Sequence, residues 1–383
     1  MRIAFYAPMK APDHPNLSGD RHIARLLVAA LSGAGHDVVI ASGFRSRDGR
    51  GDRRRQERIR DAGAGLARRL LRRYGKLSED LRPQLWFTYH LYHKAPDWLG
   101  PAVAGALGIP YVLAEASFAP KQADGPWALG HGAAREAIAA AAAIFNLNPG
   151  DVGCLGPLVD DPRRLVSLRP FVDLAAYPAR APGADARGAL AGRLHLPAHE
   201  TWLVAVAMMR QGNKRDSYLL LADALARVEG RDWRLIVVGD GPVRAEVEAA
   251  FAGFPPGQVV FAGRLESAAL RSLVARCDLF VWPGVREPIG MAMLEAQASG
   301  VPVVTGRGPG IADIVQDGRT GRLVPRGDAG AFAAAVHGLL RDPGERAAMG
   351  TRAREAVREH HDIAAASVTL DTVLGPLQAG RWP

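Results

Sequence analysis

The chain has 383 residues, of which 48% are hydrophobic and 23% charged, and its formal net charge at pH 7 is +9. These values are typical of a soluble globular protein with room for two domains, and they exclude extended disorder. Two distant cysteines, Cys154 and Cys277, and the lack of an apolar run of about 20 residues indicate neither a disulfide framework, a metal site nor a membrane span.

The first half of the chain alternates short apolar strands with helical segments. Arg2–Tyr6 is predicted to be a strand from the very start of the chain, so we predict no signal peptide and expect a cytoplasmic location. The helix Ile23–Ala34 and the strand Asp37–Ala41 complete a β-α-β opening, which indicates a mainly parallel sheet. The later strands and helices of this half are predicted at Leu85–Tyr89, Pro101–Leu107, Tyr111–Ala114, Ala133–Ala143, Ile144–Leu147 and Leu165–Leu168.

Most of the net charge lies in one stretch of the first half. Residues 45–80 hold thirteen Arg and Lys against six Asp and Glu. Within it, Ile59, Leu66, Leu70 and Tyr74 recur at helical spacing, so residues 45–76 are predicted to include an amphipathic helix with a basic face. Such a face can attract an anionic membrane or an acidic acceptor, or it can simply be solvated. Nucleic-acid binding is not indicated, because no recognition module or interleaved aromatic residues accompany the charge.

A change of composition separates the two halves. Pro178, Pro182, Gly183 and Pro197 enrich residues 176–200 in turn-forming residues, so we predict a linker there. The domain prediction is therefore residues 1–175, a linker, residues 201–360 and a C-terminal helical segment over 361–383. The second domain again alternates strands and helices, with elements predicted at Trp202–Ala207, Ser217–Arg227, Trp233–Val238, Val243–Ala252, Val259–Ala262, Ser267–Ala275, Leu279–Trp282, Met291–Ser299, Val301–Thr305, Ala331–Leu340 and Pro343–His360.

The segment 281–300 carries most of the functional information. The buried strand Leu279–Trp282 is broken by a Pro-Gly pair, which places Glu287 in a loop, and Pro288 suits a first helical position. Backbone N–H groups near Ile289, Gly290 and Met291 are then unpaired within the helix, and such a helix start attracts phosphate. Glu295 follows about two turns into the helix, and by itself it could equally be a solvated carboxylate.

Two other loops of the second half follow predicted strands. Arg210 and Lys214 come after Trp202–Ala207, at the end of a strand where open α/β sheets bind ligands, so both could grip phosphate. Arg264 follows Val259–Ala262. The turn at Gly239–Pro242 is predicted to be structural, because glycine adopts backbone angles that other residues resist.

With Glu287 and Glu295 eight positions apart and Gly290 between them, the sequence resembles glycosyltransferase family 4 and its E-x7-E signature. The resemblance implies an α/β protein of GT-B architecture, with two Rossmann-like β/α/β domains whose parallel sheets face a central cleft. It also implies that the first domain lies on the acceptor side, that the second binds the nucleotide sugar, and that the final helical segment crosses back to the first domain.

The resemblance also assigns roles to residues of the second domain. Glu287 would contact the transferred sugar and Glu295 the ribose hydroxyls. Arg210 and Lys214 would neutralise the diphosphate leaving group, although the spacing in this loop leaves Arg215 as an alternative to Lys214. Arg264 would border the nucleotide base. The implied reaction is a retaining, front-face displacement without metal or other cofactor, in which the leaving phosphate takes the acceptor proton.

The first domain matches the family less closely. Gly19 and Asp20 occupy the loop where family members carry paired glycines against the donor phosphate and acceptor, and Asp20 could instead cap the helix. His90 follows a strand and could contact the acceptor or be an ordinary loop histidine. Glu115 stands where many family members have a histidine near the donor sugar.

The function that we predict is retaining transfer of a sugar from a nucleotide-diphosphate sugar to a glycan, lipid or small-molecule acceptor. A GT-B nucleotide-sugar epimerase and a catalytically silent sugar-nucleotide-binding protein remain as alternatives. An oxidoreductase is disfavoured because no G-x-G-x-x-G follows the first strand. The sequence specifies neither the donor base and sugar, nor the acceptor, nor the oligomeric state.

Overall fold

The computed structural model describes residues 1–15, 18–179, 184–230 and 232–380, without the side chains of residues 184–186. It divides into two compact units, one of Met1–Arg169 with Ile363–Pro383 and one of Pro170–Asp362. Pro182 and Gly183, which mark the predicted linker, lie outside the described residues, as do residues 381–383 of the predicted C-terminal segment. The boundaries predicted at residues 175, 200 and 360 stay predictions.

The first unit is built on a parallel sheet. Its elements along the chain are β1 (Arg2–Tyr6), α1 (Gly19–Gly33), β2 (Asp37–Ser42), α2 (Arg53–Tyr74), β3 (Leu85–Leu91), α3 (Gly100–Leu107), β4 (Tyr111–Ala116), α4 (Ala128–Ala140), β5 (Ala143–Asn146), α5 (Val152–Leu155) and β6 (Leu165–Ser167). The described strands are ordered β2-β1-β3-β4-β5-β6, with each neighbouring pair parallel. The central strands are buried on both faces, which is why they read as continuous apolar runs.

The second unit repeats this plan. Its elements are α6 (Ala184–Leu194), β7 (Thr201–Val206), α7 (Asn213–Ala226), β8 (Trp233–Val238), α8 (Arg244–Ala250), β9 (Val259–Gly263), α9 (Ser267–Val274), β10 (Leu279–Trp282), α10 (Met291–Ala298), β11 (Val303–Gly306), α11 (Pro309–Ala312), β12 (Gly321–Val324), α12 (Ala329–Arg341) and α13 (Pro343–His360). The described strands are ordered β12-β11-β10-β7-β8-β9 and are parallel throughout. The prediction of an α/β protein with two Rossmann-like sheets is confirmed.

The last helix, α14 (Ile363–Gln378), is part of the first unit. It packs against α1, where the Ser367 hydroxyl donates to the carbonyl of Ala30 at 2.8 Å. Leu370, Val373 and Leu374 are buried along its inner side. Within the described ranges, no helix combines the length and hydrophobicity that crossing a bilayer requires.

The basic helix is longer at its start than its apolar spacing indicates. Asp52 caps α2 by accepting the backbone N–H of Arg55 at 3.1 Å, so the helix begins at Arg53. Ala67, Leu70 and Tyr74 are buried in the core of the unit, whereas the arginines of the opposite face are exposed to solvent. The apolar side of α2 is therefore occupied by its own fold.

Three local details bear on the expectations from sequence, and of these only the helical position of Pro288 was wrong. Ser18, and not Asp20, caps α1, because its hydroxyl accepts the backbone N–H of Arg21 at 3.2 Å. The predicted linker contains α6, whose alanine and leucine content supports a helix despite the flanking prolines. Pro288 does not begin α10, which starts at Met291, because Gly290 adopts a left-handed conformation that is incompatible with helix.

Candidate functional site

The loop between β10 and α10 is held in place by neighbouring elements of the second unit. The backbone N–H of Val285 donates to the Ser217 hydroxyl of α7 at 2.9 Å. Arg286, next to Glu287, has a φ of 55°, which is unusual for a residue other than glycine. Strained backbone of this kind persists where the surroundings enforce it and is concentrated at functional sites.

Glu287 and Lys214, predicted from separate motifs, are in direct contact. The Lys214 ammonium lies 2.5 Å from Glu287 Oε2, and the two side chains are 34% and 17% exposed. Trp282, at the end of β10, donates from its indole N–H to the same oxygen at 3.3 Å, and its ring lies 5.5 Å from the ammonium. A half-buried carboxylate is thus fixed beside a cation and an aromatic face.

The neighbouring cations of the same loop behave differently. The Arg215 guanidinium pairs with Glu246 at 2.5 Å and lies 3.7 Å from Asp216, so it is directed away from Glu287. Arg210 is exposed, and no ion pair involves it within the described part of the chain. The geometry therefore favours Lys214 over Arg215 as the partner of Glu287, and it leaves Arg210 accessible to an anion.

Gly290 is the N-cap of α10 and has a φ of 81°. A Cβ at this position would lie 2.7 Å from Ile311 Cδ1, so a side chain is opposed by both the backbone angle and the packing. The first intrahelical acceptor is the Gly290 carbonyl, which accepts from Met293 and Leu294. The N–H groups of Met291 and Ala292 precede these bonds, as expected for an anion-binding helix start, and Ile289 lies half-buried just before it.

Glu295 lies on α10 with partners of its own. Tyr177 donates a hydrogen bond to its carboxylate, and the charge of Arg271 acts on it. Burial raises the pKa of Glu295, and the charge of Arg271 and the Tyr177 bond lower it by less, which leaves the pKa at about 7. The Arg271 guanidinium also lies 5.6 Å from the centre of the Tyr177 ring. Neither Tyr177 nor Arg271 was predicted, because each is ordinary in its local sequence.

The turn after β8 has a structural role that its glycines explain. A Cβ at Gly239 would lie 1.9 Å from the carbonyl oxygen of Ala207, and one at Gly241 would lie 2.3 Å from that of Met209. The two glycines therefore allow this turn to pack directly on the loop that carries Arg210. Arg264 follows β9, the edge strand of the sheet, and is exposed.

In the first unit, Asp20 and His90 are brought together from residues 70 positions apart. Asp20 Oδ1 lies 2.9 Å from His90 Nδ1. Burial lowers the pKa of the His90 imidazole, but the hydrogen bond and charge of Asp20, together with the charges of Glu115 and Asp151, raise this pKa above its ordinary value. Burial raises the pKa of Asp20, but the bond and charge of His90, with the charge of Lys10 and a backbone hydrogen bond, leave it lowered. Gly19 begins α1, and a Cβ there would contact nothing within 4 Å.

Glu115 ends β4 beside this pair and is only 7% exposed. Burial raises the pKa of its carboxyl to about 7, against the lowering charge of His90. Asp151, which was not predicted, lies in the same group and accepts from the Ser117 hydroxyl at 3.2 Å and from the Asn148 amide at 2.9 Å. Burial also raises the pKa of Asp151. No group of three or more His, Cys, Asp or Glu side chains in the described residues is arranged to hold a metal ion.

Residues 200–342 match the family model described as Glycosyl transferases group 1. A GDP-mannose-dependent alpha-(1-6)-phosphatidylinositol monomannoside mannosyltransferase of Mycolicibacterium smegmatis is 34% identical over 200 residues, half of each chain. A D-inositol 3-phosphate glycosyltransferase 2 of Catenulispora acidiphila is 33% identical over 221 residues, 55% of this chain and 50% of that protein. The aligned part thus spans about half the length of these relatives.

Solved structures resemble the chain over nearly its whole length. A sucrose-phosphate synthase of Thermosynechococcus elongatus superposes with a TM-score of 0.75 at 20% identity and covers 99% of both chains. The Anabaena HepE protein, solved in complex with UDP-glucose, superposes with a TM-score of 0.73 at 16% identity and covers 98% of this chain and 99% of that one. The chain therefore has the two-domain GT-B fold.

Proposed function

Because residues 200–342 belong to the group 1 glycosyl transferases, we propose that this protein transfers a sugar from a nucleotide-diphosphate sugar to an acceptor. The observation that carries the proposal is the 2.5 Å contact between Lys214 and Glu287 in the loop before α10. A nucleotide sugar presents a diphosphate beside a ring of hydroxyls, and this loop offers a cation, a carboxylate and free N–H groups together. The relatives named above are transferases, which supports transfer over epimerisation and over silent binding.

The proposed reaction needs charge stabilisation at two places. As the bond from the anomeric carbon to the phosphate oxygen breaks, negative charge grows on the diphosphate, where Lys214, Arg210 and the start of α10 stabilise it. Positive charge grows on the sugar ring, where the Glu287 carboxylate lies. The acceptor oxygen forms the new bond on the face that the phosphate leaves, and its proton passes to the leaving phosphate oxygen. The configuration is retained, and the scheme assigns no step to a metal ion.

The remaining contacts of the donor follow from the same arrangement. Glu295 accepts hydrogen bonds from ribose hydroxyls, for which a carboxylate has two suitable oxygens. Ile289, Gly290 and Met291 direct backbone N–H groups at the diphosphate. Arg264, exposed after β9, borders the base. Gly19, Asp20, His90 and Glu115 belong to the acceptor side of the reaction in the first unit.

Donor hydrolysis and acceptor transfer by Glu287 variants test this proposal. A panel of UDP, GDP and ADP and their sugars is first screened by thermal shift, because a ligand that binds only the folded protein raises its melting temperature. We expect Glu287→Gln to lower kcat/KM about 100-fold for the nucleotide sugar that raises the melting temperature in this screen. The unfolding temperature of the free protein should not change. Glu246→Gln, which breaks the exposed pair with Arg215, is the matched control. Full turnover in Glu287→Gln would refute the assignment.

Incubation with donor alone separates the rival activities. A transferase releases sugar slowly without acceptor and retains the sugar's stereochemistry, whereas an epimerase produces an altered sugar at full rate. A silent binding protein shifts the melting temperature and yields no product with any acceptor. Nuclear magnetic resonance of the anomeric proton detects all three results, including inversion, which would contradict the retaining mechanism.

The exposed arginines of α2 support a contact with anionic membrane and a cytoplasmic site of action. Arg54, Arg58, Arg68, Arg72 and Arg73 are exposed on this helix, while its apolar side is buried in the unit. The contact is therefore electrostatic and does not involve insertion. Sedimentation with vesicles of anionic lipid should retain the protein at low salt and release it at high salt. A variant with Arg68, Arg72 and Arg73 changed to Gln should bind less than the wild type at low salt.

A further inference from the structure

The loops that follow β10, β11 and β12 meet at the carboxyl end of the second sheet. The carbonyl of Pro283, after β10, accepts the backbone N–H of Gly306 at 3.0 Å, and the N–H of Arg307 donates to the carbonyl of Val324 at 2.8 Å. A Cβ on Gly306 would lie 2.4 Å from the carbonyl oxygen of Pro283, so these backbones are in close contact. Residues carried by the three loops are therefore neighbours at one edge of the sheet.

Each of these loops carries one arginine. Arg286 follows β10, Arg307 follows β11 and Arg326 follows β12, and all three are exposed. Arg307 is held by Asp317, which lies 3.1 Å from its guanidinium. Among the residues that the structure describes, neither Arg286 nor Arg326 takes part in an ion pair. Two guanidinium groups at this edge are therefore available to an anion.

Both of these arginines lie beside the loop that holds Glu287. A guanidinium nitrogen of Arg326 lies 3.5 Å from the position of a Cβ built on Gly308, and the carbonyl oxygen of Glu287 lies 3.9 Å from the same point. Arg286 adjoins Glu287 in the chain and has a φ of 55°, a conformation that is costly for a residue with a side chain. Positive charge from two strands is thus placed next to the proposed sugar-binding carboxylate.

The order of the strands separates Arg326 from the cations assigned to the diphosphate. In the order β12-β11-β10-β7, the loop of β10 lies between the loop of β7, which carries Arg210 and Lys214, and the loops of β11 and β12. Lys214 reaches Glu287 from the β7 side at 2.5 Å, whereas Arg326 approaches from the β12 side. Positive charge therefore flanks the Glu287 loop on two sides.

A donor with a neutral sugar uses only one of these two groups of cations. Its diphosphate would be stabilised from the β7 side, and its sugar hydroxyls would place no charge on the other side. A carboxylate on the sugar ring would supply the missing anion beside Arg286 and Arg326. The planar guanidinium donates parallel hydrogen bonds to the two oxygens of a carboxylate, and such charge-assisted bonds are stronger than those between neutral groups.

We propose that the transferred sugar carries a carboxylate, as in a uronic acid, and that this group binds Arg286 and Arg326. This proposal rests on the proposed function, because it specifies the donor of the same site. It assigns both arginines to recognition of the sugar and not to the bond that breaks. They therefore determine specificity, while Lys214 and Arg210 keep their place at the leaving diphosphate.

Donor binding without acceptor tests the proposal, because it separates an acidic donor sugar from an acidic acceptor. UDP, GDP and ADP conjugates of glucose and of glucuronic acid form three matched pairs of probes, and GDP-mannose with GDP-mannuronic acid forms a fourth. Calorimetric titration gives the ratio of affinities within each pair, which cancels any general effect of charge on the diphosphate. UDP, GDP and ADP are titrated in parallel.

The test variant combines Arg286→Gln with Arg326→Gln. Arg341→Gln, which changes an exposed arginine in the last turn of α12, is the matched control. Thermal unfolding verifies that each variant is folded. We expect the wild type and Arg341→Gln to bind the uronic acid of at least one pair about 10-fold or more tightly than its neutral counterpart. In the double variant this ratio should fall to about 2-fold or less.

Two results would overturn the proposal while leaving the proposed function in place. One is binding of the nucleotides with no preference for the acidic sugar in any pair. The other is a preference that persists unchanged in the double variant, which would assign recognition of the carboxylate to other residues. Failure of every nucleotide and nucleotide sugar to bind would instead refute the proposed function.

Discussion

The carboxyl ends of the two sheets share a backbone plan but differ in charge. In the second unit, Lys214 contacts Glu287 and Arg210 remains accessible. In the first unit, the corresponding edge is dominated by carboxylates, among them the buried Glu115. The same arrangement of parallel strands therefore offers cations and N–H groups in one unit and acceptor oxygens in the other.

This difference separates the two halves of the proposed reaction. An edge with cations and unpaired N–H groups suits the diphosphate of a donor, whose charge must be stabilised as it leaves. An edge rich in carboxylate oxygens suits a ring of hydroxyls. In this proposal, the side chains at the strand ends, and not the fold, decide which substrate each unit takes.

The largest effect is expected at Lys214, whose positive charge distinguishes the carboxyl end of the second sheet from that of the first. Lys214→Met should reduce kcat/KM for donor by about 100-fold to 1,000-fold, because the diphosphate loses a cation as it leaves. Arg215→Met is the matched control, since Arg215 pairs with Glu246 and should affect turnover by less than about 5-fold. Steady-state kinetics at saturating acceptor provide the measurement. Equal losses in the two variants would contradict the distinction between these neighbours.

Replacing Glu115, the buried carboxyl group at the end of the first sheet, should change how the stability of the protein depends on pH. The pKa of Glu115 is raised from 4.5 to about 7, so its contribution to stability is present below about pH 4.5 and is lost as pH rises through about 7. Glu115→Gln should therefore stabilise the protein relative to wild type above pH 7, by up to about 3 kcal/mol, and by little at pH 4.5. Urea unfolding at both pH values measures this difference. If Glu115→Gln changed the free energy of unfolding equally at both pH values, burial would not raise the pKa of Glu115.

Glu295 tests whether ribose recognition is separate from diphosphate binding. Glu295→Gln should weaken UDP about 10-fold at pH 8 and leave pyrophosphate binding unchanged, because only UDP carries a ribose. In wild type, UDP affinity should fall as pH drops below about 7, where the carboxylate becomes protonated. The hydrogen bond from Tyr177 stabilises the ionised carboxylate of Glu295. Tyr177→Phe removes this bond, so the Glu295 pKa and the midpoint of the affinity change should both move to higher pH. Calorimetric titration of both ligands over pH distinguishes these outcomes from a general loss of binding.

The smallest effect concerns Gly290, at the carboxyl end of the second sheet. Gly290→Ala should destabilise the protein by about 1–2 kcal/mol, because the residue has a φ of 81° and the new Cβ would lie 2.7 Å from Ile311 Cδ1. Gly108→Ala is a control in the same left-handed region, with a φ of 65° and no atom within 4 Å of the new Cβ. The difference between their unfolding free energies isolates the packing term. A larger loss for Gly108→Ala would mean that packing at Gly290 is unimportant.

Much of the fold was predictable because the strands are buried on both faces. Leu279–Trp282 and Trp233–Val238 were predicted with their exact bounds, since continuous apolar runs between turn residues are characteristic of a parallel sheet. The helix α6 and the strand β12 were missed. Prolines and glycines around these elements indicate turns locally, and only packing in the second unit makes them regular.

Site residues that lie close together in the sequence were predictable, whereas those that come from distant segments were not. Glu287, Gly290 and Glu295 lie within one loop and helix, so their spacing identified them in advance. Tyr177 and Arg271 act on Glu295 from distant segments, and Asp151 joins Glu115 and His90 in the same way. No local pattern marks such residues, because each is brought to its partner only by the order of strands in the sheet.

By itself, the sequence determined the two α/β units, the E-x7-E loop and the concentration of arginine in α2, because these depend on residues near one another in the chain. The tertiary structure alone decided that Lys214 and not Arg215 contacts Glu287, that Asp20 binds His90 and does not cap α1, and that Glu115 is buried with an unsatisfied oxygen. Pairing, burial and pKa depend on which distant side chains share a small volume of low dielectric constant, and that is set only when the sheets assemble.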